Sequence, residues 1–143
     1  MSHNNIELEN QVTEILRDIG MPASLKGFQY LRTAIVLAAN DISMLNTITN
    51  KLYPVVSEKH KTTPSRTERA MRHALKATWE RGGIEVLKRR LGNAVGLSTD
   101  APSNREFIII VAGCLALSQG ELEHDSFEPL DVQTDGIELD GAV

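Results

Sequence analysis

A single cysteine, Cys114, stands among the 143 residues. One thiol excludes an internal disulfide and a Cys-rich metal site, and it suits a reducing compartment. Aromatics make up only 4% of the chain, too few for a platform that stacks single-stranded bases. The longest apolar run, Phe107 to Leu117, is 11 residues and too short to span a bilayer. Met1 leads into polar Ser2-His3-Asn4-Asn5, with no basic stretch and no apolar segment of a secretory signal. The four His residues (His3, His60, His73, His124) are too dispersed for a metal site. No Ser-His-Asp set, phosphate loop or zinc spacing occurs, and nothing pairs the scattered carboxylates. The expectation is a cytoplasmic, soluble protein without cofactor, metal, enzymatic activity or membrane partner.

Basic residues are absent from a long stretch at the end of the chain, and this changes the meaning of its formal net charge of −4. All 15 Lys and Arg lie between Arg17 and Arg105, among only seven acids, so that segment is +8. Residues 119–143 hold eight acids and no Lys or Arg, giving −8. An acidic total argues against a nucleic-acid partner; a basic body with an acidic extension does not.

What is present is helical periodicity. Leu8, Val12, Ile15, Leu16 and Ile19 mark one face of a helix over 6–19, which Gly20 and Pro22 terminate. A second helix is predicted from Lys26 to Ala39, with Leu31, Ala34, Ile35 and Ala38 as its buried stripe. Pro54 divides the next apolar stretch into a short helix before it and another starting near it. Thr63-Pro64 reads as a hydroxyl cap followed by Pro at N1, opening a helix to Arg81 that ends at Gly82-Gly83. Ile84 to Leu91 forms a short basic helix. Ser103 and Glu106 have the spacing of a capping box ahead of the apolar helix Phe107–Leu117. No segment shows sustained strand alternation. Residues 1–118 therefore read as one all-α domain of about six helices, and 119–143 as an acidic, disordered tail.

The informative stretch is Pro54 to Gly83. On a helical projection of the Pro64 helix, Thr67, Ala70, Met71, Ala74, Leu75, Ala77 and Thr78 fall on one arc. Ser65, Arg66, Glu68, Arg69, Arg72, His73, Lys76 and Glu80 take the rest. A short helix, the turn Lys61-Thr62-Thr63 and a basic helix form a helix-turn-helix layout, whose second helix enters the DNA major groove. Arg can donate two bonds to guanine O6 and N7, and Glu can accept from cytosine N4. Arg66, Glu68, Arg69 and Arg72 occupy the turns that reach base edges. The hydroxyls of Thr62, Thr63 and Ser65 suit phosphate oxygens. Residues 51–90 carry 11 Lys or Arg against four Glu, a local surplus beyond that of an ordinary solvated face.

The residues themselves resemble a known family. Lys61-Thr-Thr-Pro-Ser-Arg-Thr-Glu-Arg-Ala-Met-Arg-His-Ala-Leu and Trp79-Glu-Arg-Gly are similar to the recognition segment of the stage zero sporulation protein A family. Ile19-Gly-Met-Pro-Ala, Lys26-Gly-Phe-Gln-Tyr-Leu-Arg-Thr-Ala-Ile, Asn40-Asp-Ile, Leu52-Tyr-Pro and Asn104-Arg-Glu-Phe-Ile extend the likeness over Asn10 to Leu117. The resemblance implies a six-helix, winged-helix-like effector domain of the response-regulator type. It implies a double-stranded operator of the TGTCGAA type, read by Arg66, Glu68, Arg69, Arg72 and His73. It also implies head-to-tail pairing on tandem operators and contact with the sigma factor of RNA polymerase. The segment near that contact, Val86-Leu-Lys-Arg-Arg-Leu, is more basic than the family pattern, which favours phosphate contacts from Lys88, Arg89 and Arg90, alongside Lys76. The family's phosphorylated receiver domain has no counterpart here, so a stand-alone effector or a fragment is expected.

Three smaller features carry expectations. The tail from Glu121 to Asp140 either lies across the basic face and competes with DNA or is a solvated extension. The final helix, apolar nearly all round, is expected in the core, with Gly113 admitting another helix closely and a dimer seam as the alternative. Cys114 is then an inert core thiol, and Trp79 packs on a neighbouring helix. A rival reading of the whole is a protein-interaction module that pairs with a full-length relative without reading DNA. A third is non-specific architectural binding.

Overall fold

The structure, a computed structural model, describes residues 2–91 and 100–124. Six α-helices occur among them: α1 (Ser2–Asp18), α2 (Lys26–Asn40), α3 (Tyr53–Lys59), α4 (Pro64–Glu80), α5 (Gly83–Leu91) and α6 (Asn104–His124). No strand occurs among the described residues, so the all-α expectation holds and no β wing accompanies the helices there.

Helix α2 is the central element, packed against α1, α4 and α6. Its apolar stripe explains this placement: Leu31, Ala34, Ile35 and Ala38 are all fully buried. Leu8, Val12, Ile15 and Leu16 of α1, with Ile19 just after it, close over one side of it. Helix α1 then stops at Gly20, which takes φ +90°. Gly20 N–H donates to the Arg17 carbonyl (3.0 Å) and Met21 N–H to the Leu16 carbonyl (3.0 Å), the paired bonds of a Schellman end.

Between α2 and α3 the chain does not form the regular helix that its spacing predicts. A 3₁₀ turn, Ile42–Asn46, is followed by a π turn, Ile48–Leu52. Asp41 starts the first by accepting from Ser43 N–H (3.2 Å) and Ser43 Oγ (2.6 Å). In the π turn Leu52 N–H reaches the Thr47 carbonyl at 3.1 Å, and Pro54, which supplies no N–H, follows in the first turn of α3.

The capping box of α6 is present in full: Ser103 Oγ accepts from Glu106 N–H (3.1 Å), and Glu106 Oε1 from Ser103 N–H (2.9 Å). Phe107, Ile108, Val111, Ala112 and Leu115 are buried, but Ile109 and Leu117 are exposed, Leu117 by 62%. The expectation of an all-round buried helix is therefore corrected. Only one flank of α6 meets the core, and a Cβ added at Gly113 would touch nothing within 4 Å. Cys114 is accordingly half-buried, and that burial pushes its thiol pKa up. Helix α6 also runs past Gly120 to His124, where Glu121, Leu122 and Glu123 are good helix formers. The tail expectation for residues 125–143 lies outside the described residues.

Candidate nucleic-acid interface

The site is built on the α3–α4 pair. Helix α3 ends at His60, and Lys61 takes the left-handed conformation, φ +56°. Lys61 N–H donates to the Glu58 carbonyl (3.3 Å) and Thr62 N–H to the Ser57 carbonyl (2.9 Å). That is the Schellman pattern again, with a lysine where glycine is usual. Two residues later Thr63 caps α4, its Oγ1 accepting from Arg66 N–H at 3.2 Å, and Pro64 fills the first turn. Strong stop and start signals three residues apart fix the angle between the two helices.

A buried hydroxyl chain holds them together. Ser57 Oγ donates to the Tyr53 carbonyl at 2.7 Å, which uses its only proton. The Thr67 hydroxyl, 2.7 Å away, must then be the donor to Ser57 Oγ. Thr67 is 0% and Ser57 2% exposed, so neither group has water as a substitute. From the other side, Asn104 Nδ2 at the start of α6 donates to the Glu68 carbonyl at 3.0 Å. Trp79 packs edge-on against Phe107, ring centroids 6.4 Å apart, which places it on a neighbouring helix as expected.

With that face fixed inward, the opposite face of α4 is presented to solvent. Thr67, Met71, Ala74, Leu75, Thr78 and Trp79 are buried. Ser65, Arg66, Glu68, Arg69, Arg72, His73 and Lys76 are all exposed, as is Thr63, while Thr62 is half-buried. Glu68 and Arg72 form an i,i+4 ion pair at 3.3 Å. Exposed pairs of this kind contribute roughly 0.3–0.5 kcal/mol, so DNA can exchange it for base contacts at small cost. Thr63 Oγ1 is engaged as an acceptor, and its proton remains available to a phosphate oxygen.

The basic segment of α5 is divided. Arg90 is held by Asp18, and by Glu14 at 3.5 Å, both on α1. These two exposed carboxylates neutralise and orient its guanidinium, and a phosphate reaching Arg90 would exchange with them, as at the Glu68–Arg72 pair. Lys88 and Arg89 are exposed and form no ion pair among the described residues.

The spacing of α4 did not disclose a groove between its start and that of α2. About 370 Å³ in volume, it is lined by Leu25, Lys26, Gly27, Arg66, Arg69, Ala70 and His73. Gly27 makes it possible: a Cβ there would lie 2.2 Å from the Ala70 carbonyl oxygen, so only glycine lets α2 and α4 approach this closely. Lys26 is thereby brought beside Arg66 and Arg69, a cation that helical projection of α4 alone cannot supply. A glycine in the first turn of a predicted helix was the available signal. Among the described residues, no three His, Cys, Asp or Glu side chains group to hold a metal ion. No helix there is long and apolar enough to cross a membrane.

Fold and site together define a helical, helix-turn-helix domain of the DNA-binding, transcription-regulating kind. The family described as Sporulation initiation factor Spo0A C terminal matches residues 12–115. The chain belongs to that family, a family of DNA-binding regulatory domains and not of enzymes.

Proposed function

We propose that this domain is a sequence-specific regulator of transcription that binds double-stranded DNA with α4 in the major groove. Arg66, Glu68, Arg69, Arg72 and His73 read base edges. Thr62, Thr63, Ser65, Lys76, Lys88, Arg89 and Arg90, joined by Lys26, hold phosphates. The observation that carries this reading is the uniformly exposed polar face of α4, set on a helix whose other face is locked by the buried Ser57–Thr67 bond. Family membership supports a DNA partner, and the resemblance favours a TGTCGAA-type box, tandem sites bound by paired copies, and a sigma-factor contact. Such a protein acts on the nucleoid in the cytoplasm.

Three to six phosphate contacts give a log–log dependence of affinity on salt with a slope of roughly −3 to −5. The test is an electrophoretic shift of the full chain with a TGTCGAA duplex and with a scrambled duplex of equal length. Preference for the box supports base reading. Equal binding to both makes the protein a non-specific architectural binder.

One observation favours a second reading. Ile109, Gly113 and Leu117 form an open apolar strip on α6, suited to pairing with a relative. That reading predicts binding to neither duplex.

A further inference from the structure

The groove between α2 and α4 is not shaped for a phosphate alone. Leu25 and Ala70 give it an apolar floor, and Lys26, Arg66, Arg69 and His73 stand around it with no carboxylate among the lining residues. A phosphate would satisfy the rim and leave the floor wet. A peptide segment with acids interleaved between large apolar side chains would satisfy both.

Such a segment exists in this chain. Beyond His124, residues 125–143 contain six acids and no Lys or Arg. Reach decides which part of that segment can dock. Helix α6 starts against the N-terminal part of α4, where Asn104 bonds the Glu68 carbonyl. Its 21 residues carry His124 about 30 Å away. Phe127 and Leu130 follow too soon, because three to six residues extend at most ~10–20 Å. Ile137 and Leu139 follow 13 and 15 residues after His124, a span of up to ~43–50 Å, enough to return to the groove. They are interleaved with Asp135, Glu138 and Asp140.

We propose that the segment Asp135–Asp140 of this chain docks in the α2–α4 groove. Ile137 and Leu139 cover Leu25 and Ala70, and the three carboxylates pair with Lys26, Arg66 and Arg69. The docked segment covers the base-reading face and competes with DNA. The docking itself does not rest on the DNA reading; only its consequence for affinity does. A tethered segment has an effective concentration on the order of 1 mM, so a pair that dissociates at ~0.1 mM lowers DNA affinity about tenfold.

The test uses three full-length variants and two readouts. Backbone amide resonances of Lys26, Gly27, Arg69 and His73 are recorded without DNA, and affinity for a duplex is measured at low salt. I137S/L139S, which keeps every charge, is expected to shift those resonances and to raise DNA affinity about tenfold. D135N/E138Q/D140N is expected to shift them in the same direction. F127S/L130S is expected to change neither readout. Groove resonances unmoved by I137S/L139S overturn the proposal, as do equal shifts from F127S/L130S. If no duplex binds any variant while the resonances move as expected, the docking stands and the DNA reading fails.

Discussion

Replacing Gly27 with alanine probes the contact on which the geometry of the site depends. The added Cβ would lie 2.2 Å from the Ala70 carbonyl oxygen, 2.7 Å from Ala74 Cβ and 2.9 Å from the Ala70 carbonyl carbon. Ordinary non-bonded contact is about 1 Å longer. Two of the three atoms are backbone and cannot rotate away, so α2 and α4 must separate. Overpacking of this kind costs about 1–3 kcal/mol, and the upper half of that range applies where backbone must move. The gain in helix propensity from Gly to Ala, up to about 1 kcal/mol, offsets part of it. A net loss of about 1–2 kcal/mol corresponds to a fall in Tm of roughly 3–10 °C for a domain of this size. Gly113→Ala is the control, because its Cβ meets nothing within 4 Å. It keeps the propensity gain and should raise Tm slightly. Thermal unfolding followed by circular dichroism compares the two variants. Gly27→Ala as stable as Gly113→Ala would refute the close approach of the two helices.

The remaining predictions concern the turn and its lock. Ser57→Ala leaves the buried Thr67 hydroxyl without its acceptor and should cost about 1–3 kcal/mol in urea unfolding; Thr67→Val, which leaves Ser57 its bond to the Tyr53 carbonyl, should cost less. Lys61→Gly relieves the left-handed backbone of the turn and should stabilise by roughly 0.5–1 kcal/mol, measured in the same way. Burial first, then the charges of Arg32 and Lys59, depress the pKa of His60 below the ordinary histidine value. The unfolded chain therefore takes up a proton below about pH 6.5 that the folded chain refuses, so stability should fall as pH drops through that window. His60→Gln should flatten this part of the stability curve, and an unchanged curve would contradict the assignment.

The sequence discloses much of this fold because its helix signals are local. Thr63-Pro64, Gly20 and the Ser103–Glu106 box act within a few residues of themselves, and each works in the structure as its chemistry predicts. The division of α4 into a buried and an exposed face likewise follows from 3.6-residue periodicity. Features made by distant residues were not legible. Arg90 looks like any exposed cation until α5 packs beside Asp18 and Glu14, 72 and 76 residues earlier. Lys26 joins the site only through the contact of Gly27 with Ala70. The half-open α6 misled for a related reason. An apolar helix predicts a partner on every side, and α2, α4 and the Ile42–Asn46 turn cover only one flank of this one.

Selection of bound duplexes from a random pool, performed with the full chain and with Arg69→Ala, measures base reading by α4 itself. The native chain should enrich a box of the TGTCGAA type. Arg69→Ala should lose discrimination at one guanine, worth about 1–3 kcal/mol, while random DNA is bound almost as before. A native chain that enriches no consensus, or an Arg69→Ala variant that weakens on all sequences alike, would contradict base reading by α4.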